Sequence, residues 1–250
     1  MAIKTILVSQ PKPEGKKSPY FDLAEKYKLK IDFRSFIHVE GVPVQEFRKQ
    51  KVVLEDHTAV IFTSKTAVDH YFRIAEEMRF DVPDSMKYFC ISEAVAYYLQ
   101  KYVVYRKRKI FFGKQTIDDL VDVLKKHKKE KFILPCTDIL RDKIPNTLES
   151  NDIDFSKAVL YRTVASDLSD LENVYYDMLV FYSPGGIESL LKNFPNFKQN
   201  DTVIAAFGPT TANAIVKNNL RLDLHAPQPN APSMTGAIEN YVKEQNKVKK

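Results

Sequence analysis

Ala59-Val60-Ile61-Phe62-Thr63-Ser64-Lys65-Thr66-Ala67-Val68 decides how the chain reads. Four consecutive apolar residues, with no polar alternation, make a strand covered on both faces. A hydroxyl residue then stands where a helix cap belongs, and Val68, Tyr71, Phe72 and Ala75 follow at helical spacing. The pattern recurs at Met178-Leu179-Val180-Phe181-Tyr182-Ser183-Pro184-Gly185-Gly186-Ile187. Downstream, Cys90-Ile91-Ser92-Glu93-Ala94-Val95-Ala96 aligns with Ala206-Phe207-Gly208-Pro209-Thr210-Thr211-Ala212. Two halves with one strand–loop–helix rhythm predict two similar lobes. The alternative is a chance likeness between two βα units, since an apolar strand followed by Ser is a common pattern.

Outward from these stretches, apolar runs alternate with amphipathic windows almost throughout. Strand candidates are Thr5–Ser9, Ile31–Val39, Ala59–Thr63, Lys87–Ile91, Tyr102–Tyr105, Phe132–Pro135, Ala158–Val164, Met178–Tyr182, Val203–Phe207 and Arg221–His225. Helical faces are formed by Tyr20, Leu23, Ala24 and Tyr27, by Ile117, Leu120, Val121 and Leu124, and by Ile187, Leu190, Leu191 and Phe194. This alternation predicts an α/β fold of two lobes, each a parallel sheet flanked by helices. Ile31–Val39 and Ala158–Val164, the longest β-branched and aromatic stretches, are expected to be two extended crossing strands. The first domain is then discontinuous, residues 1–36 plus 166–250, and the second is 37–165, with a cleft between them. Ligands of open α/β sheets bind beyond the carboxyl ends of the strands, which would face that cleft.

Composition narrows the function. Apolar residues make up 44% and aromatics 12% of 250 residues, enough for a sizeable core. No apolar run is long enough to span a membrane, and Met1-Ala2-Ile3-Lys4-Thr5 leads straight into a strand-like stretch. The expectation is a cytoplasmic globular protein without a signal peptide. The net charge of +6 concentrates at Arg106-Lys107-Arg108-Lys109, at Lys125-Lys126-His127-Lys128-Lys129 and after Glu244. Such runs attract anions, nucleic acid among them, and solvated loops or a frayed helix end explain them equally well.

Cys90 and Cys136 are too few for a disulfide framework or a cysteine zinc site, and the five histidines lack metal-ligand spacing. Cys136 has no evident His partner for thiol catalysis. Glycine-rich phosphate and dinucleotide motifs, His-Glu-x-x-His and Gly-x-Ser-x-Gly are missing, and only seven glycines occur. Nucleotide, flavin and zinc chemistry are disfavoured.

What remains are helix starts. Ser64, Ser183 with Gly185 and Gly186, and Gly208 with Thr210 and Thr211 each follow a predicted strand. First-turn amides are unpaired and sit at the positive end of the helix dipole, so they favour carboxylates or phosphates. Each hydroxyl on its own reads equally as an N-cap. Three such starts on one rim point to an anionic ligand. Tyr161 lies within a predicted crossing strand, and a phenol protonated at neutral pH can donate to a leaving oxygen. A strand aromatic packing its ring is the other reading.

Phe62-Thr63-Ser64 with Ala67-Val68, Leu134-Pro135-Cys136 followed by Arg141, Leu160-Tyr161-Arg162-Thr163, Tyr182-Ser183-Pro184-Gly185-Gly186, Gly208-Pro209-Thr210-Thr211-Ala212 and Ala226-Pro227-Gln228-Pro229 occur in that order. From Ile6 to about Ile238 the chain resembles the uroporphyrinogen-III synthase family. The resemblance implies a two-lobed lyase of tetrapyrrole (haem) biosynthesis that needs neither cofactor nor metal. Its substrate would be hydroxymethylbilane, a linear tetrapyrrole octacarboxylate, cyclised with inversion of ring D. Tyr161 matches the family tyrosine that assists departure of the hydroxyl. Ser64, Ser183, Gly185, Gly186, Gly208, Thr210 and Thr211 match positions that hold carboxylates. A cytoplasmic monomer with no nucleic-acid or membrane partner is implied as well. The chain departs from the family at Gln10, where members carry Arg, and at Ser92–Ala96, which lacks the usual Gly and Thr and places Glu93 there. A non-catalytic tetrapyrrole-binding relative is therefore the alternative reading.

Overall fold

The computed structural model describes residues 3–15, 17–140 and 142–247. Arg141 of the family pattern lies outside them. The strands are β1 (Thr5–Val8), β2 (Lys30–Phe33), β3 (Ile37–Gly41), β4 (Ala59–Phe62), β5 (Lys87–Cys90), β6 (Ile110–Phe112), β7 (Phe132–Thr137), β8 (Phe155–Ala165), β9 (Met178–Phe181), β10 (Val203–Phe207) and β11 (Leu224–Ala226). The helices are α1 (Pro19–Tyr27), α2 (Val44–Lys49), α3 (Lys65–Met78), α4 (Glu93–Leu99), α5 (Val121–Lys126), α6 (Lys143–Glu149), α7 (Pro184–Asn193), α8 (Pro209–Lys217) and α9 (Met234–Lys247). The chain divides into two compact α/β units. One comprises Met1–His38 with Val164–Lys250, the other Val39–Thr163. The chain passes from one to the other inside β3 and returns inside β8.

In the first unit the strand order is β2-β1-β9-β10-β11, every neighbouring pair parallel. Side chains of a strand alternate between faces, so each strand feeds two cores. Ile6, Val8, Met178, Val180, Val203 and Ala205 pack against Tyr20 and Leu23 of α1 and Ile238 and Val242 of α9. Leu7, Leu179, Phe181, Ile204 and Ala206 face the other way, onto Ile187 and Leu190 of α7 and Ala212 and Ile215 of α8. Helices on both faces are what an all-parallel sheet needs to bury its surfaces.

The second unit has the order β3-β8-β7-β4-β5-β6. Adjacent strands from β8 to β6 are parallel. Val60, Phe62, Tyr88, Cys90, Ile133, Ala158 and Leu160 bury against α3 and α4, and Phe47 of α2 joins them. Ala59, Ile61, Phe89, Phe132 and Leu134 pack on Leu120, Leu124 and Leu148. Full burial of a Phe such as Phe47, Phe62 or Phe89 removes it from water at a gain of about 1.5–3 kcal/mol each. The duplicated stretches occupy equivalent places. β4 and β9 are third in β8-β7-β4-β5-β6 and β2-β1-β9-β10-β11, and β5 and β10 are fourth.

Two expectations are corrected. Ile31–Val39 is not one crossing strand: Arg34–Phe36 interrupts it, β2 ending in one sheet and β3 beginning in the other. Phe36 turns into the core of the first unit, edge-on to Phe181 at 5.7 Å, and its carbonyl accepts from the Ser166 amide instead of a ladder partner. Tyr102–Tyr105 is not a strand but a turn and exposed coil after α4, with Val104 79% exposed. The edge strand of that sheet is β6, and Tyr102 stacks on Phe72 at 4.4 Å. Among the described residues, no helix is long and apolar enough to cross a membrane.

Candidate active site

In the second unit, β4 delivers the chain to Ser64, whose backbone is extended (φ −161°) and whose Oγ accepts the Ala67 amide at 3.0 Å. That bond caps α3 and fixes the serine rotamer. The Tyr161 hydroxyl lies 3.4 Å from the same oxygen. Its direction comes from an irregularity in β8: Cys136 pairs with Val159 and Thr137 with Tyr161, so Leu160 is the extra residue of a bulge. Leu160 and Tyr161 consequently share the core of Val60 and Phe62, although consecutive strand residues ordinarily face apart. Tyr161 is 9% exposed. Burial pushes its phenol up, while the Ser64 hydrogen bond pulls more weakly the other way. The group stays protonated and can donate.

The His70 ring stacks on Tyr161 with centroids 5.2 Å apart and planes 19° from parallel. His70 Nδ1 accepts from Arg73 Nε at 3.1 Å. Burial, then the Arg73 charge, lowers the His70 pKa, so the neutral ring carries its proton on Nε2. Sequence reading did not single out His70 or Arg73. Their i, i+3 spacing on α3, with Glu77 four residues beyond Arg73, was the available signal.

In the first unit Ser183 repeats the Ser64 arrangement, with φ −152° and Oγ accepting the Gly186 amide at 3.4 Å. Pro184 opens α7 and has no amide to leave unpaired, so the Gly185 amide is the free first-turn donor. A Cβ on Gly186 would stand 3.2 Å from the Phe181 ring and 3.5 Å from Ser9 Oγ. Gly208 caps α8 at φ +84°, a conformation that favours glycine, and donates to the Ala226 carbonyl at 2.7 Å. Thr210 is exposed, whereas Thr211 is 1% exposed and turns inward. Thr211 therefore offers no hydroxyl at the surface and packs the start of α8 onto its sheet. Beside Ser183, the Tyr182 and Tyr20 hydroxyls meet at 2.6 Å.

A fourth helix start, at Ser92, differs. Ser92 has no cap bond from its side chain, α4 is only seven residues long, and Glu93 stands exposed in its first turn. No group of three or more His, Cys, Asp or Glu among the described residues is placed to hold a metal ion. Burial raises the Cys90 thiol to about 12 and the Cys136 thiol to about 11, so neither is a thiolate at neutral pH.

The residue pattern of the family described as "Uroporphyrinogen-III synthase HemD" matches residues 22–236. The chain belongs to the uroporphyrinogen-III synthase family. It is 27% identical over 139 residues to the "Uroporphyrinogen-III synthase" of Saccharomyces cerevisiae, a match covering 50% of each chain. It thus spans about half the length of that relative. To the "Putative uroporphyrinogen-III synthase" of Methanocaldococcus jannaschii it is 27% identical over 176 residues, 66% of this chain and 72% of the relative. The solved uroporphyrinogen-III synthetase of Helicobacter pylori superposes with a TM-score of 0.58 at 17% identity, covering 97% of this chain and 100% of that one. A mutant uroporphyrinogen III synthase of Thermus thermophilus gives 0.50 at 15% identity, with coverage of 98% and 99%. At such identities the solved structures bear on the fold alone, and the fold of this uroporphyrinogen-III synthase family member agrees with theirs.

Proposed function

We propose that this protein catalyses the uroporphyrinogen-III synthase reaction, cyclising hydroxymethylbilane with inversion of ring D and loss of water. The observation that supports it is Tyr161, a phenol kept protonated by burial, beside a serine whose rotamer a helix cap has already set. In this reading Tyr161 passes its proton to the terminal hydroxyl oxygen. The C–O bond breaks, water departs, and the electron pair of the pyrrole nitrogen forms the azafulvene. Ring D attacks through its substituted carbon, the spiro intermediate fragments, and the macrocycle recloses with ring D inverted. The proton released at the final closure returns to the phenolate.

The substrate's carboxylates would be met by the Ser64 and Ser183 hydroxyls and by the first-turn amides of Gly185 and Thr210, with Gly186, Gly208 and Thr211 shaping those helix starts. Uncatalysed closure gives the uninverted isomer, so the protein's task is orientational as well as electrostatic. Residues alone suffice in this scheme, with neither cofactor nor metal. The protein would act as a cytoplasmic monomer on a small molecule, with no membrane or nucleic-acid partner.

One observation favours a second reading, a tetrapyrrole-binding relative without turnover: the uncapped Ser92 start with Glu93 in its first turn. A product-isomer assay separates the two. Hydroxymethylbilane is generated in situ, the purified protein is added, and the porphyrins are oxidised and resolved. Protein-dependent type III product is the expected result. Type I alone, formed at the spontaneous rate, would overturn the synthase reading.

A further inference from the structure

Arg73 is engaged on every side. Its Nε donates to His70 Nδ1 at 3.1 Å and its Nη1 to Glu77 Oε1 at 2.8 Å. Its Nη2 donates to two backbone carbonyls, Val42 at 2.9 Å and Leu160 at 3.1 Å. The Leu160 carbonyl also accepts the Val42 amide at 2.9 Å. Leu160 is the extra residue of the bulge, immediately before Tyr161. The chain makes room for this arrangement at Gly41, where a Cβ would stand 2.8 Å from the guanidinium. A planar fork with several donors suits the task of holding two strands and a ring at once.

We infer that His70 and Arg73 are positioning residues that hold the Tyr161 hydroxyl beside Ser64, Arg73 by gripping the bulge and His70 by stacking on the phenol ring. The inference rests on the proposed reading of Tyr161 as proton donor. Arg73 sets both levers. Its bond to the Leu160 carbonyl fixes the backbone from which Tyr161 projects, and its bond to Nδ1 fixes the plane of the imidazole that covers the ring. A phenol on a bulge without these supports has a choice of rotamers, and a misplacement of about 1 Å can cost about 100-fold in rate.

The test is a double-mutant cycle in the isomer assay, with kcat and KM measured for His70→Ala, His70→Phe, Arg73→Lys, Tyr161→Phe and the pair His70→Ala with Tyr161→Phe. His70→Ala is expected to lower kcat by about 10–100-fold with KM changed by less than about twofold. His70→Phe, which keeps a ring to stack, should restore most of kcat. Arg73→Lys, which loses the fork but keeps the charge, should lower kcat in the same sense. Combined with Tyr161→Phe, His70→Ala should cost less than about twofold more, because the group it positions is gone. An equal loss in both backgrounds would overturn the inference, since His70 would then act independently of the phenol. A rise in KM at constant kcat would overturn it too. Should His70→Ala not fold, an inactive His70→Phe would be the contrary result. Failure of the underlying reading is separate: Tyr161→Phe alone would retain full kcat.

Discussion

The Tyr161 hydroxyl lies 3.4 Å from Ser64 Oγ, and that oxygen is itself held by the Ala67 amide at 3.0 Å. A helix cap and a bulged strand thus meet at one hydroxyl pair. The separation is long for such a pair and leaves a strong bond still to be made. Catalytic hydrogen bonds commonly tighten only once substrate is bound.

Tyr161→Phe keeps the buried ring and deletes the proton. General acid assistance contributes roughly 10²–10⁴-fold, so kcat should fall by about that factor while KM changes little. Steady-state kinetics with hydroxymethylbilane measures it. Unchanged turnover would remove Tyr161 from the chemistry.

Ser64→Ala and Ser183→Ala each delete one N-cap, worth about 1 kcal/mol, and both should lower the urea midpoint. Only Ser64 touches Tyr161, so only its loss should depress kcat. Ser183→Ala should act on KM through a weakened carboxylate site. Parallel kinetic effects from the two variants would show that the Ser64–Tyr161 contact has no special part.

Gly208→Ala isolates backbone strain. At φ +84° no heavy atom lies within 4 Å of an added Cβ, so crowding is not involved. With ψ at +153° the residue lies in a region that essentially only glycine adopts, and that cost alone should be about 1–3 kcal/mol. A lower unfolding midpoint together with a higher KM, from a displaced Thr210 amide, is expected. A variant as stable as the parent would contradict the geometry at this cap.

Acid should weaken the protein partly through His70. Its pKa lies below the ordinary 6.5 because of burial and the Arg73 charge. In the window between its folded value and 6.5 the unfolded chain binds more protons, so stability rises with pH there. The contribution is present above that window and is lost as pH falls through the folded value. Urea unfolding of the parent and of His70→Phe, from about pH 8 to about pH 5, isolates it. The parent should lose stability faster with acid. Identical slopes would show that the ring's protonation is not linked to folding.

Much of the architecture was legible because it follows from local pattern. Runs such as Ala59–Phe62 and Met178–Phe181 are short and apolar at every position, with a cap residue soon after, which suits a strand covered on both faces. Ser before a helical face reads as a cap wherever it occurs, and Ser64 and Ser183 do cap their helices. Composition misled where solvent and packing compete. Tyr102–Tyr105 has strand-like residues, yet the Tyr102 ring finds Phe72 and its hydroxyl finds Asp69, leaving no ladder to join.

By itself the sequence determined the α/β class, the duplicated strand–Ser–helix stretches and the family, since these depend on residue type and spacing along the chain. Tertiary structure alone decided where the side chains point. Leu160 becomes the extra residue of a bulge because β8 pairs with β7 out of step at Thr137, and this turns Tyr161 to the same face as Leu160. Thr211 is buried and Thr210 exposed because α8 packs on its sheet in one rotation. His70 reaches Tyr161 across nearly a hundred residues because α3 lies against β8's sheet with Arg73 bonded to the Leu160 carbonyl. Register and helix rotation are settled by which apolar surfaces can be buried together, and residues far apart in sequence carry that information only once they are packed.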